Sequence, residues 1–128
     1  MEQLFVSNGM RNQMASHTDF GFLRGLFKDS PKIMPSNLDM IYGINDKFLL
    51  GEWKRDNEEI SEGQKILLKA LSKEPNFTVI LINGYSDNTG IHISKYYQIS
   101  QTSLIYLGNS IDSLKDYIQT WYKLAKRI

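Results

Sequence analysis

An α/β fold, with a mixed central β-sheet flanked by helices in a single domain over residues 1–128, is what three features of this sequence predict. A β-hairpin is written between Asp39 and Lys54, a helical periodicity follows it from Ile60 to Leu71, and the run from Phe77 to Ile82 is apolar on both faces. A continuous apolar run of that length marks an interior strand, often a parallel one, whereas hydrophobic residues every three or four positions mark a helix. Helix, hairpin, helix, buried strand is the order of an α/β sandwich. No internal repeat or linker interrupts it.

Composition is compatible with this fold. The chain has 128 residues, 41% of them hydrophobic and 12% aromatic, which is enough for one domain with its own core and excludes disorder. No stretch approaches the ~20 apolar residues of a membrane span, and Met1-Glu2-Gln3 begins no signal peptide. These features predict an intracellular, cytoplasmic protein. The absence of cysteine excludes a disulfide framework and a thiolate zinc site. A formal net charge of +1 does not advertise nucleic-acid binding, so a basic surface would have to be local.

Taken in order, residues 1–17 give no clear element. From Thr18 to Lys28, Phe20, Leu23 and Phe27 recur at helical spacing, with Thr18 or Asp19 as N-cap, although Gly21 and Gly25 weaken the pattern. Pro31 and Pro35 hold the next stretch extended. Strands then run from Met40 to Ile44 and through Phe48 to Leu50, joined by Asn45-Asp46, residue types that tolerate the positive φ of a two-residue hairpin turn. A turn centred there places Ile44 opposite Lys47, Ile41 opposite Leu50 and Asp39 opposite Glu52. Beyond a charged loop from Arg55 to Ser61, Ile60, Gln64, Leu67 and Leu71 share one face of a helix that ends near Lys73, before Pro75. Asn83-Gly84 and Asp87 to Gly90 read as turns, Ile91 to Ile99 and Ser103 to Leu107 as antiparallel strands nearer an edge. Ser110 caps a last helix over about 110–127 with the stripe Ile111, Leu114, Ile118, Trp121, Ala125 and Ile128. That stripe follows the narrow three-four seam of a coiled-coil-like contact, which could dock on the sheet or pair two chains. Because a strict seam is narrower than the usual core-facing stripe, it favours a homodimer through this C-terminal helix.

The chemistry gathers in the hairpin. Directly opposed residues have Cβ atoms roughly 4.5–5.5 Å apart, and like charges so placed repel. A hard divalent cation reverses that penalty, because it takes carboxylate oxygens as ligands. Lys54 shares the face of Glu52, and Trp53 points the other way. Two carboxylates and an ammonium on one sheet face outline a metal-dependent hydrolytic site. Lys54, beside two acids, is expected to stay protonated.

Asp39, twelve intervening residues, Glu52-Trp53-Lys54 and a following helix carrying Gln64 resemble the PD-(D/E)XK nuclease superfamily, and within it the virus-type replication-repair nuclease (VRR-NUC) branch. The likeness covers about residues 33–83, the motif core. It departs from the family pattern in one respect: Asn37-Leu38 stands before the acid, and Pro35 lies further back. The resemblance implies a restriction-endonuclease-like core, Mg²⁺ with Mn²⁺ able to substitute, and phosphodiester hydrolysis in DNA, branched or flapped. It implies Asp39, Glu52 and the Trp53 carbonyl as metal ligands, Lys54 as the residue that orients or polarises the attacking water, and Gln64 as a further site residue. A divalent ion stabilises the charge that builds on the phosphoryl and leaving oxygens, and carboxylates suit Mg²⁺ where thiolates would select softer metals.

Other readings stand beside these. Ser61-Glu62-Gly63-Gln64 fits a capping box, which would use Gln64 at the helix start, and Asp56 with Glu59 offers another one turn earlier. His17 and His92 have no ligand partner at helical spacing. Lys115, Lys123, Lys126 and Arg127 form either a solvated face or a phosphate contact, and the tyrosines, Tyr96-Tyr97 among them, suit base stacking or sheet packing equally. A catalytically idle nucleic-acid-binding or inhibitory module on the same fold is the alternative function, and a protein–protein adaptor a third.

Overall fold

The structure, a computed structural model, describes residues 20–127. The chain divides into two compact units, Met1–Pro35 and Ser36–Ile128. Of the first, the described part holds a single 3₁₀ turn, Phe20–Leu23, in place of the longer helix expected over Thr18 to Lys28. Gly25 takes φ +77° and its amide donates to the Pro31 carbonyl, turning the chain where the helix would have continued. Residues 1–17 and the two N-cap candidates, Thr18 and Asp19, lie outside the described residues, as does His17.

The second unit is an α/β fold with a five-stranded mixed sheet and two helices. Its elements are β1 (Met40–Ile44), β2 (Lys47–Arg55), α1 (Glu62–Ser72), β3 (Phe77–Asp87), β4 (Gly90–Ile99), β5 (Leu104–Gly108) and α2 (Ile111–Lys126). The strands lie in the order β1-β2-β3-β4-β5, with β2 and β3 parallel and every other pair antiparallel. A parallel pair needs a crossover, and α1 supplies it. Among the described residues no helix is long and apolar enough to cross a membrane.

Two clusters hold the layers together, one on each face of the sheet. Leu50, Val79, Leu81 and Ile99 pack with Leu68 of α1, joined by Ile60 and Leu71. Leu68, rather than the expected Leu67, is the buried leucine of α1, because Ile60, Gln64, Leu68 and Leu71 follow one another at the steps that keep a helical face. On the opposite face Leu49, Ile80, Ile82 and Tyr96 pack with Leu114, Tyr117, Ile118 and Trp121 of α2. Leu114, Ile118 and Trp121 of the α2 stripe thus dock on the chain's own sheet, while Ile111 at its start stays exposed. Ile128 lies outside the described residues. β3 is central and apolar on both faces because each face carries one of these clusters.

Asn83-Gly84 is no turn. β3 runs on through both residues to Asp87, and the register with β4 shifts between them, Asn83 facing Lys95 and Gly84 facing Ile93. Ser94 is therefore the extra residue of a β-bulge. Gly84 is required there, since a Cβ would run into the His92 carbonyl and lie 2.8 Å from the Trp53 ring. At the first hairpin, Asn45 (φ 57°) and Asp46 (φ 62°) both take the left-handed conformation of a type I′ turn. The Asn45 amide also donates to the carbonyl of Ala125 at 3.2 Å, satisfying one of the acceptors that the last turn of α2 leaves open.

Candidate functional site

The turn at Asn45-Asp46 fixes the hairpin register, Ile44 with Lys47, Ile41 with Leu50 and Met40 with Gly51. One further step along that ladder brings Asp39, just before β1, opposite Glu52. The Asp39 carboxylate does more than face its partner: Oδ2 accepts the Trp53 backbone N–H at 2.8 Å. Residues of an antiparallel ladder direct N–H and C=O to the same neighbour. The Trp53 carbonyl therefore points to the edge where Asp39 stands, beyond the first residue of β1.

Glu52 is the buried member, 6% exposed. It shares the face of Leu50 and, through the parallel register, of Leu81, so it lies in the layer beneath α1. Its Oε1 accepts from Gln64 Nε2 at 2.9 Å and lies 3.8 Å from Lys54 Nζ. Burial pushes the Glu52 carboxyl above its ordinary range, and the negative charge of Asp39 pushes the same way. The Lys54 ammonium and the Gln64 amide oppose them, while hydrogen bonding with the Asp39 carboxylate adds to the rise. Asp39, Glu52, Lys54 and Gln64 are thus brought together, and the Trp53 backbone runs between them.

Both readings of Gln64 hold in part. Ser61 is the N-cap of α1 and its Oγ accepts the Gln64 backbone N–H at 3.2 Å. The Gln64 side-chain amide reaches instead into the sheet to Glu52. The earlier box, Asp56 with Glu59, does not cap the helix: α1 begins at Glu62 with Ser61 as its N-cap, and Asp56 accepts instead from Ser94 Oγ at 2.8 Å.

One polar residue at the site escaped sequence reasoning. Asn83, 9% exposed, stands beside Lys54 in the parallel register and donates from Nδ2 to the Lys54 carbonyl at 3.4 Å. The signal was a polar residue directly after an apolar run, masked by the glycine that follows it. Glu52, Lys54 and Asn83 all lie near the carboxyl ends of the two parallel strands, where open α/β sheets place their ligands.

Other candidates lie elsewhere. His92 belongs to the β3–β4 hairpin, where Nε2 is 3.0 Å from Asp87 Oδ1 and 2.8 Å from Thr89 Oγ1 and the ring stacks on Tyr85 at 4.7 Å. Lys115, Lys123, Lys126 and Arg127 belong to α2 and its C-cap, on the sheet face away from the two acids. Tyr96 is buried under α2 and hydrogen-bonded to Ser113 at 2.6 Å, whereas Tyr97 faces the side of Glu52.

Among the described residues no group of three or more His, Cys, Asp or Glu side chains gathers that would cage a metal ion. The donors at this site are two carboxylates and a backbone carbonyl, all hard oxygens of the kind that Mg²⁺ takes in ones and twos while keeping water. Burial raises Glu52 first and the charge of Asp39 second; a divalent cation would relieve the second, so the residues fit such an ion. Compared with family models, curated proteins and solved structures, the chain finds no match.

Proposed function

We propose that this chain is a divalent-metal-dependent nuclease of the PD-(D/E)XK kind, with a restriction-endonuclease-like core, that hydrolyses phosphodiester bonds in DNA and selects branched or flapped structure. The observation that carries the reading is the environment of Glu52: a buried carboxylate beside a second carboxylate, with an ammonium and an amide on its inner side. Perturbed acids with a specific charge partner cluster at functional sites.

Asp39, Glu52 and the Trp53 carbonyl would hold Mg²⁺ or Mn²⁺, which when bound supplies positive charge to the phosphoryl group and acidifies water. The Trp53 N–H locks the orientation of Asp39. Gln64 fixes the rotamer of Glu52 and helps keep it ionised. Lys54 places a positive charge beside Glu52, where it opposes charge developing on the scissile phosphate. The Asn83 amide, bound to the Lys54 carbonyl, fixes the backbone from which that lysine projects.

Incubating the protein with flap, junction, single-stranded and duplex DNA, in Mg²⁺, Mn²⁺ or EDTA, tests this. Metal-dependent cleavage that prefers the branched substrates is expected, and no cleavage of any substrate in either metal would overturn the reading. Only two acids gather at the site, and this favours a second reading, the catalytically idle nucleic-acid-binding module. It predicts binding of the same DNAs without cleavage.

A further inference from the structure

The face of the sheet that carries Glu52 continues past α1. Register partners across a sheet share a face, so Glu52, Leu81, Tyr97 and Tyr106 form one row running across β2, β3, β4 and β5. Lys54, Asn83 and Lys95 form the next row. α1 covers the row at Leu81, which is 5% exposed, but not at its far end, where Tyr106 is 56% exposed. Neighbouring strands lie about 4.8 Å apart, so Tyr97 stands roughly 10 Å and Tyr106 roughly 14 Å across the sheet from Glu52.

The open end of these rows is aromatic and basic. Tyr97 and Tyr106 meet edge to face with centroids 5.8 Å apart, and the exposed Lys95 holds Nζ 5.9 Å from the Tyr97 centroid. On the other flank, Lys65 and Lys69 of α1 border a groove of about 220 Å³ floored by Ile99 and Leu104. Leu104 shares the face of Tyr106 on β5. Tyr106 is exposed and Tyr97 half-buried, and rings open to solvent beside lysines are a combination that holds unpaired nucleic acid, bases stacking on the rings while ammonium groups neutralise phosphates. A duplex offers no such contact, because its base faces are already stacked on one another.

We propose that the β4–β5 face is a platform for an unpaired nucleic-acid strand, which it leads towards Glu52. Tyr97 and Tyr106 stack on bases, and Lys95 neutralises backbone phosphate between the platform and Lys54. The proposal rests on the nuclease reading for its direction of travel and supplies that reading with a substrate feature: a single-stranded arm beside the bond to be cut.

Binding in EDTA tests the platform without cleavage. The probe is a fluorescein-labelled oligothymidylate of about twelve nucleotides, within the usual site size of single-strand binders, followed by anisotropy beside a duplex and an oligouridylate of equal length. The oligouridylate arm tells RNA from DNA as the source of the strand. Tyr106→Leu should weaken oligothymidylate binding about tenfold or more and leave duplex binding unchanged, and Tyr106→Phe should restore it. Lys95→Gln should lower the slope of log affinity against log salt by about 0.7, the loss of one phosphate contact on a single strand. A wild-type protein that does not bind the oligothymidylate, or a Tyr106→Leu protein that binds it equally well, overturns the platform. If Tyr106→Leu fails to fold, the Lys95→Gln slope decides, and an unchanged slope overturns the proposal. Flap cleavage by wild type and Tyr106→Leu alike would discard the platform and keep the nuclease. Loss of binding in Tyr106→Leu, with no cleavage by wild type in any metal, would do the reverse.

Discussion

Gln64 divides its two amides between two tasks: its backbone N–H closes the first turn of α1 on Ser61, and its side chain donates to the buried Glu52 carboxylate at 2.9 Å. Two substitutions separate the tasks. Ser61→Ala should cost about 1 kcal/mol of stability, the typical loss of an N-cap, and leave turnover intact. Gln64→Ala keeps the cap and should reduce kcat by about 10- to 100-fold, the usual effect of losing a residue that orients a metal ligand. Thermal unfolding and flap cleavage on the same preparations check both. Full turnover in Gln64→Ala would remove it from the site.

In the proposed site, Glu52 would link metal binding to stability. Its folded carboxyl lies above the ordinary 4.5, so ionisation is costlier in the folded chain than in the unfolded one. Above the raised value that cost is fully present. As pH falls through the raised value the folded state takes up a proton first, and below about 4.5 the cost is gone. In metal-free buffer this group therefore makes the protein more stable on acidification, and Glu52→Gln should have the higher Tm near neutral pH. Mg²⁺ should raise the Tm of wild type but not of Glu52→Gln, and Glu52→Gln should lose most cleavage while binding DNA at least as well. Scanning calorimetry with and without Mg²⁺ reads the first pair, and equal Mg²⁺ shifts would place the ion elsewhere.

The tip of the β3–β4 hairpin has the opposite sign. Asp87 accepts from the Thr89 N–H and hydroxyl and lies against His92, and these bonds lower its carboxyl to about 2 from 3.8. Its contribution is complete above about 3.8 and disappears as pH falls through about 2. Amide exchange should show Thr89 N–H protected at neutral pH and opening across that window. Asp87→Asn should remove most of the pH dependence.

Trp121 packs in the cluster of Leu49, Ile80 and Ile82 and approaches the Tyr42 ring at 6.3 Å. Trp121→Glu places a carboxylate in that cluster and should cost at least the ~3–5 kcal/mol of a large aromatic truncation. Loss of the folded state by circular dichroism is expected. A folded, soluble monomer by light scattering would return the α2 stripe to an interface between chains.

Much of this was legible because it depends on local rules. Asn45-Asp46 wrote the turn, and the turn wrote every pair down to Asp39 with Glu52. The apolar run at Phe77 to Ile82 announced β3 and its central place. What local rules missed are features that tertiary contacts create. Asn83-Gly84 resembles a turn by composition, and becomes a bulge only because β4 lies alongside with one residue too many. Gln64 satisfies the capping pattern with its backbone and leaves the pattern with its side chain, since the acid it meets is twelve residues away on another element. The stripe on α2 has the spacing of a seam, but spacing does not say whether sheet or second chain fills it. Tyr96 and Tyr97 look alike in the sequence and part to opposite faces of one strand.

The bond from Asn45 to the Ala125 carbonyl spans eighty positions of sequence and so dictates an order of events during synthesis. Of the two segments, the hairpin turn that sets the acids in register emerges from the ribosome first. The helix end that fastens this turn emerges some eighty residues later. At a translation rate of about 5–20 residues per second, the hairpin waits roughly 4 to 16 seconds before its tip can be anchored. Through that interval the face later covered by α2 is open to water, with Leu49, Ile80 and Ile82 exposed as each emerges. Premature self-association of nascent chains would begin on that face, and closure of the last helix is the step that ends the exposure.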